Sequence, residues 1–221
     1  PAEIISASHH PEMCEKHNGY YAIECPGNLY WLAEQVNAGN TAINAVLASN
    51  IVINGTLEYD ETDANNALQW TPIGYYNSAN DKLLYSGNFD GNGKTIRGLC
   101  IIDTSCNYVG LFGANGGKIE NLGIVESHIK GNKYVGSICG YNLGGIITNC
   151  YNHCDIIGTD YVGGISGSTT SSISNCYNIG LIQAETVNKS AICSDYGSGT
   201  ITNCYCTFEY KKDKNNEGVT K

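Results

Sequence analysis

Apolar residues recur through the second half of the chain at a spacing far longer than any helix or strand period. Leu111, Ile138, Ile165 and Ile192 stand 27 residues apart, and Ile119, Ile147, Ile173 and Ile201 follow at steps of 28, 26 and 28. Two residues beyond each member of the second series comes an asparagine (Asn121, Asn149, Asn175, Asn203), then Leu122, Cys150, Cys176 or Cys204. A period of this length marks a solenoid, in which each unit buries its apolar face only against the next. Between these positions lie short Ile, Val and Tyr runs broken by Gly, Asn and Ser, which is strand-and-turn chemistry. The expected fold is mainly β: a right-handed parallel β-helix of about four or five rungs. Its inward positions should include Leu111, Ile119, Leu122, Ile138, Ile147, Cys150, Ile165, Ile173, Cys176, Ile192 and Ile201.

The sequence before the repeat changes character twice. Residues 1–27 show no period, hold His9, His10 and His17, and read as an arm laid on the body. From Asn28, a plausible N-cap, Leu29, Leu32, Ala33 and Val36 fall at i, i+3, i+4 and i+7, and Gly39 is placed to end a helix. This helical cap, residues 28–39, would cover the apolar cross-section that a solenoid leaves open at its end. The coils are expected over 44–210, opening with a strand pair from Val46 to Ile53 broken at Ser49-Asn50. Two polar, loop-like excursions, 55–69 and 75–83, flank strand-like Trp70 to Gly74. Asn188 and Lys189 replace Tyr161 and Val162 by the 27 step, so residues 186–210 read as the edge of the regular coil. Residues 211–221 read as a polar tail leading into further sequence, and the whole chain as one domain.

The segment from Phe89 to Leu99, Phe-Asp-Gly-Asn-Gly-Lys-Thr-Ile-Arg-Gly-Leu, maps by a step of 23 onto Phe112, Ile119 and Leu122, as an earlier and tighter rung. A helical cap and a strand, then Trp70-x-Pro72-Ile73-Gly74, then this segment, precede repeats of Tyr-Val-Gly-(x)-Ile/Leu-x-Gly followed by Ile-x-Asn-Cys. Over roughly residues 28 to 210 that succession resembles the GLUG-repeat proteins of bacterial cell surfaces. The resemblance implies a pectate-lyase-like, right-handed parallel β-helix and an extracellular or cell-surface location. It also raises sugar cleavage, because such folds often host polysaccharide lyases and glycoside hydrolases.

The chemistry of the chain narrows these classes. A net charge of −9, from 12 basic and 21 acidic residues, disfavours nucleic acid and anionic membrane as partners. No run of 18 apolar residues exists to insert into a membrane as a helix. Asp90-Gly91-Asn92-Gly93 lacks the further carboxylates of a calcium loop and reads as a turn. His128 aligns with Asp155 and Leu181, while His153 and Cys154 are neighbours on a strand and so face opposite ways; no metal site and no cofactor is expected. Arg97 is the only arginine, and Asp155, Asp160 and Asp195 do not recur on one face, so no converging carboxylate pair marks a catalytic set. Of the eleven cysteines, Cys150, Cys176 and Cys204 read as core packing, and Cys14 with Cys25 is the best candidate for a disulfide.

Two tyrosine series remain: Tyr108, Tyr134 and Tyr161, and Tyr151, Tyr177 and Tyr205. Rows of aromatic rings at the rung height could meet sugar rings or another protein; alternatively they stack on one another to stabilise the sheet. The leading functional expectation is a non-catalytic, adhesin-like module of a secreted or surface-anchored protein, with a glycan or a host or cell-surface protein as partner. Alternatives are a polysaccharide lyase or glycoside hydrolase, and a structural spacer within a larger surface peptidase.

Overall fold

In the computed structural model, which describes residues 16–55 and 61–207, the chain winds into a parallel β-solenoid of about 6 turns. A regular turn is built from four short strands. One such turn runs through Lys118–Val125, His128–Lys130, Lys133–Val135 and Cys139–Asn142, and the chain then climbs to Ile146–Thr148, which pairs with Lys118–Glu120 below it. Strict register carries the apolar columns upward. Ile119, Ile147, Ile173 and Ile201 are direct partners in successive turns. Ile138 N–H donates to the Ile165 carbonyl at 3.1 Å, and Ile165 N–H to the Ile192 carbonyl at 2.9 Å. The expected inward residues are all buried except Ile201, which is half-buried on the last described rung. Each buried aliphatic side chain contributes about 1.5–3 kcal/mol, so this column is the main cohesive element.

There are more turns than the repeat implies, because the N-terminal turns carry no repeat. Tyr20–Ile23 pairs in parallel with Ala45–Leu47, which pairs with Asn88–Arg97, so residues 20–23 are a strand of the main sheet and not part of an arm. Lys16–His17 adds an antiparallel edge; residues 1–15, with His9, His10 and Cys14, lie outside the described residues. The cap helix α1 is Pro26–Asn37 and starts earlier than the expected Asn28 cap. Cys25 is the N-cap and Pro26 supplies a preset φ. Asn28 acts from inside the first turn, its Oδ1 accepting from Glu24 N–H at 3.0 Å and Cys25 N–H at 3.3 Å. Leu29, Leu32, Ala33 and Val36 are buried as their spacing required, and Gly39, at φ +109°, follows the helix end. The two polar excursions are not plain loops: the first contains a short helix, α2 (Glu61–Asn66), and the second is an antiparallel hairpin of Tyr75–Ser78 with Asp81–Leu83.

The segment from Phe89 to Leu99 does not take the 23-residue register. Phe89 pairs with Ile119 and Ile96 with Ile124, while Phe112 pairs with Cys139 and bridges Ile73. The Asp-Gly-Asn-Gly turn is the cause. Asn92 and Gly93 adopt φ +51° and +70°, and the pairing shifts from Glu120 opposite Asp90 to Leu122 opposite Lys94. Extra residues are thus looped out of one strand as a bulge, which a fixed step cannot follow.

The repeated Tyr-Val-Gly-x-Ile-x-Gly motif is explained by close approach of backbones. Tyr108, Tyr134 and Tyr161 have φ of 60°, 58° and 53° and turn the chain so that Val109, Val135 and Val162 point inward and are buried. The second glycine of the two later repeats packs on the tyrosine corner of the turn before. A Cβ on Gly140 would lie 2.5 Å from Tyr108 Cα, and one on Gly167 equally close to Tyr134 Cα.

On the last turns the pattern is replaced rather than lost. Lys189 pairs with Val162 in register and is half-buried, so the strand neither slips nor stops. Asn188 Nδ2 donates to Asp160 Oδ1 at 2.8 Å, Thr186 Oγ1 donates to the same oxygen at 2.6 Å, and Lys133 Nζ lies 3.7 Å from Asp160 Oδ2. Burial pushes the Asp160 carboxyl up, but these hydrogen bonds and the Lys133 charge outweigh it and hold the group below its ordinary value.

Two outcomes follow. Gly140→Ala, forced against backbone, should lose at least twice the stability lost by Gly144→Ala, where φ is +82° and nothing lies within 4 Å; urea denaturation of both reads the difference, with Gly144→Ala costing about 1 kcal/mol. Because the folded Asp160 pKa is lowered, its contribution is fully present above about pH 4 and is lost as pH falls through the folded value. Asp160→Asn should therefore flatten the acid limb of a stability-versus-pH curve measured below about pH 4.

Candidate functional site

The two tyrosine series form two ladders, and their geometry limits what they can bind. In the first, Tyr108 and Tyr134 lie 4.8 Å apart with planes 2° from parallel, and Tyr134 and Tyr161 are 4.8 Å apart at 7°. In the second, Tyr151 and Tyr177 lie 4.9 Å apart at 1°, and Tyr205 takes the next place in register. Tyr151 rests on Gly123, where a Cβ would come within 2.6 Å of its Cε1, so the missing side chain gives that ring its seat. Within each stack the inner faces are covered by neighbouring rings. What remains for a partner is the row of ring edges and hydroxyls, and the outer face of an end ring. Tyr177 and Tyr205 are the more open, at 41% and 50% exposure, whereas Tyr108, Tyr134, Tyr161 and Tyr151 are half-buried.

The first ladder stands at a conformational cost. Left-handed φ in a bulky residue costs on the order of 1 kcal/mol, and three successive turns accept it. Ring stacking of about 0.5–1.5 kcal/mol per pair offsets part of this. The backbone also holds the corner from both sides: Tyr108 N–H donates to the Lys133 carbonyl at 2.8 Å and Val109 N–H to the Tyr134 carbonyl at 3.0 Å.

Two tyrosines without a repeating sequence signal, Tyr76 and Tyr141, extend this ladder. Tyr76, from the hairpin, meets Tyr108 edge-on at 5.1 Å and Tyr141 edge-on at 5.1 Å, with Lys82 Nζ 5.9 Å from its ring centre. Tyr141, Ser168 and Asp195 share one column in successive turns, and Ser168 Oγ donates to Asp195 Oδ2 at 3.1 Å. Because that column holds three different residue types, the repeat could not point to it. Burial raises the hydroxyl pKa values of Tyr108, Tyr134 and Tyr141, and the Asp195 charge raises the last two further. The phenols therefore stay protonated at neutral pH and both donate and accept hydrogen bonds.

The remaining sequence candidates are structural in their surroundings. Asn121, Asn149, Asn175 and Asn203 all adopt φ between +51° and +55°. Asn121 Nδ2 donates to Asp90 Oδ1 at 2.9 Å, Asn149 Nδ2 to Asn121 Oδ1 at 3.0 Å and Asn203 Nδ2 to Asn175 Oδ1 at 3.3 Å, a stack that begins on the Asp-Gly-Asn-Gly turn. A second, buried series was not legible: Asn115 Nδ2 donates to Asn142 Oδ1 at 2.8 Å, Asn142 Nδ2 to Thr169 Oγ1 at 3.0 Å, and elsewhere Asn152 Nδ2 to Asn178 Oδ1 at 2.7 Å. Arg97 is paired with Glu126, a carboxylate that the sequence did not link to it. Asp155, Asp160 and Asp195 sit in three different columns, those of His128, Lys133 and Tyr141. His153 is exposed and Cys154 buried, on opposite faces. Among the described residues no group of three or more His, Cys, Asp or Glu could hold a metal ion. Cys150, Cys176 and Cys204 are buried, unbridged thiols. Contact with Cys150 pushes the Cys176 thiol up and contact with Cys176 pushes the Cys204 thiol up, and burial adds to both, away from reactive thiolate.

Comparison with known proteins agrees with this architecture. The GLUG motif model matches residues 131–157, which hold the Tyr134 corner, Gly140, Ile147 and the Asn149-Cys150 turn. Halomucin of Haloquadratum walsbyi is 34% identical over 126 residues, covering 56% of this chain and 1% of halomucin, so the chain spans a very small part of that relative. A solved structure described as a putative immunoglobulin A1 protease from Bacteroides ovatus aligns with a TM-score of 0.57 at 18% identity, covering 87% of this chain and 78% of that one, a likeness of fold alone. The chain carries a GLUG motif at residues 131–157 within a parallel β-solenoid and resembles the GLUG-repeat surface proteins.

Proposed function

We propose that this chain is a non-catalytic module of a secreted or surface-anchored protein, adhesin-like, that holds a glycan or a protein partner against its tyrosine ladders. The observation that carries the reading is the first ladder itself: three tyrosines kept in a disfavoured backbone conformation, with hydroxyl edges repeating at the rung height. Strain of this kind accumulates where a side chain must be presented in a fixed place. The GLUG motif and the similarity to halomucin support a surface or secreted setting. Contact is made by hydroxyl edges along the coil and by a ring face only at the end of a stack. A partner that runs parallel to the coil axis, whether a linear glycan or an extended protein segment, matches such a row. The second reading, a spacer within a larger surface peptidase, draws on the fold neighbour being described as a protease and needs no ligand.

A glycan array and a reducing-sugar release assay test the first reading directly: specific retention without release supports it, and turnover that disappears when Arg97 or Glu126 is changed overturns it. Replacing Tyr134 and Tyr161 together by Ala should weaken binding by roughly 1–3 kcal/mol. If the ladder is only structural, the double variant instead lowers the melting temperature and leaves any binding intact. Tyr134→Gly should be less destabilising than Tyr134→Ala by about 1 kcal/mol, since glycine relieves the left-handed corner while both lose the stack; equal losses in chemical denaturation would remove the strain argument.

A further inference from the structure

An open groove of about 540 Å³ lies beside α1 and shares no residue with the ladders. Trp31 and Gln35 of α1, residues 39–43 that lead out of it, and Tyr21 of the first parallel strand line the groove. Trp31 and Tyr21 are both half-buried, with ring centres 5.1 Å apart and planes at 52°. The two tryptophans of the chain differ sharply. Trp70 is buried and its indole N–H donates to the Leu111 carbonyl at 3.1 Å, whereas among the described residues no acceptor meets the indole N–H of Trp31. Asn40 Nδ2 donates to Gln35 Oε1 at 2.9 Å, which fixes the two amides together. That bond leaves Gln35 Nε2 as a donor and Asn40 Oδ1 as an acceptor, neither with a partner among the described residues. The Thr41 hydroxyl is fixed by accepting from Ser86 Oγ at 3.0 Å.

Among the described residues no charged side chain lines the groove, so an ionised ligand would meet no counter-charge from them. An apolar ring surface beside adjacent donors and acceptors is instead complementary to a pyranose. The C–H face of the sugar packs on the aromatic ring, and two neighbouring hydroxyls each need a donor and an acceptor. We propose that this groove binds a neutral saccharide. The site is separate from the tyrosine ladders and does not depend on the reading given for them.

The test uses the whole chain. Trp31 is the more exposed of the two tryptophans, so its fluorescence reports on the groove during titration with uncharged oligosaccharides, with uronate-containing ones as the control. Saturable change with neutral sugars, weaker with uronates, is expected. Trp31→Phe should abolish the signal, and the pair Gln35→Ala and Asn40→Ala, half-buried and exposed respectively, should weaken binding about tenfold, close to 1.4 kcal/mol, with an unchanged melting temperature. Tyr134→Ala with Tyr161→Ala should leave the titration intact. The proposal is overturned if millimolar neutral sugars give no saturable change, if the amide double variant binds as the parent does, or if loss of binding follows the ladder variant alone.

Discussion

Register between successive turns is the constraint on which everything else in this molecule depends. In a parallel coil each side chain sits above its counterpart in the turn below, and a slip of one residue would turn the inward column outward. Ile119, Ile147, Ile173 and Ile201 hold that column, but apolar contact alone tolerates sliding. Polar ladders do not. The asparagine stack from Asp90 through Asn149, and the buried Asn115–Asn142–Thr169 series, each match a donor to an acceptor at one height only. Buried amides satisfied in this way remove the alternatives, because a shifted register would leave them unpaired.

The same register decides what the surface can offer. Tyrosines brought into one column at the spacing of parallel strands stack on one another, and the stack uses the ring faces that a free tyrosine would give to a ligand. A ladder is therefore a presenter of edges. The groove beside α1 differs because it forms in the N-terminal turns, which carry no repeat, where a helix meets the coil, and there Trp31 and Tyr21 tilt against each other and do not stack in parallel.

How much could be read in advance follows from the same distinction. The turns from Leu111 onward were legible because each repeats the previous one in residue type as well as in spacing, and their inward residues are buried as the spacing required, save half-buried Ile201 on the last described rung. The rung at Phe89 was legible as a turn of the coil but not in its partners, because the Asp-Gly-Asn-Gly bulge changes the count within a single strand. Tyr20–Ile23 pairs by backbone alone with a neighbour that shares none of its sequence, so no period announces it. The ladder tyrosines could be named from spacing; their mutual stacking was one of two readings. Tyr76, Tyr141 and Asp195 could not be named, since one comes from an excursion and the others from a column that changes type at each turn. The buried asparagines resemble loop residues in composition and are recognisable only once their partners are in place.

The buried thiols carry one more implication. Cys150, Cys176 and Cys204 occupy the inward column as small apolar groups, unbridged, and Cys176 and Cys204 are each held well away from the thiolate form by the cysteine of the turn before and by burial. Cohesion of this part of the coil asks nothing of an oxidant. A cysteine-rich sequence usually ties a fold to an oxidising compartment, but here sulfur stands where Leu122 stands one turn earlier, and these turns can close equally well in reducing and in oxidising surroundings.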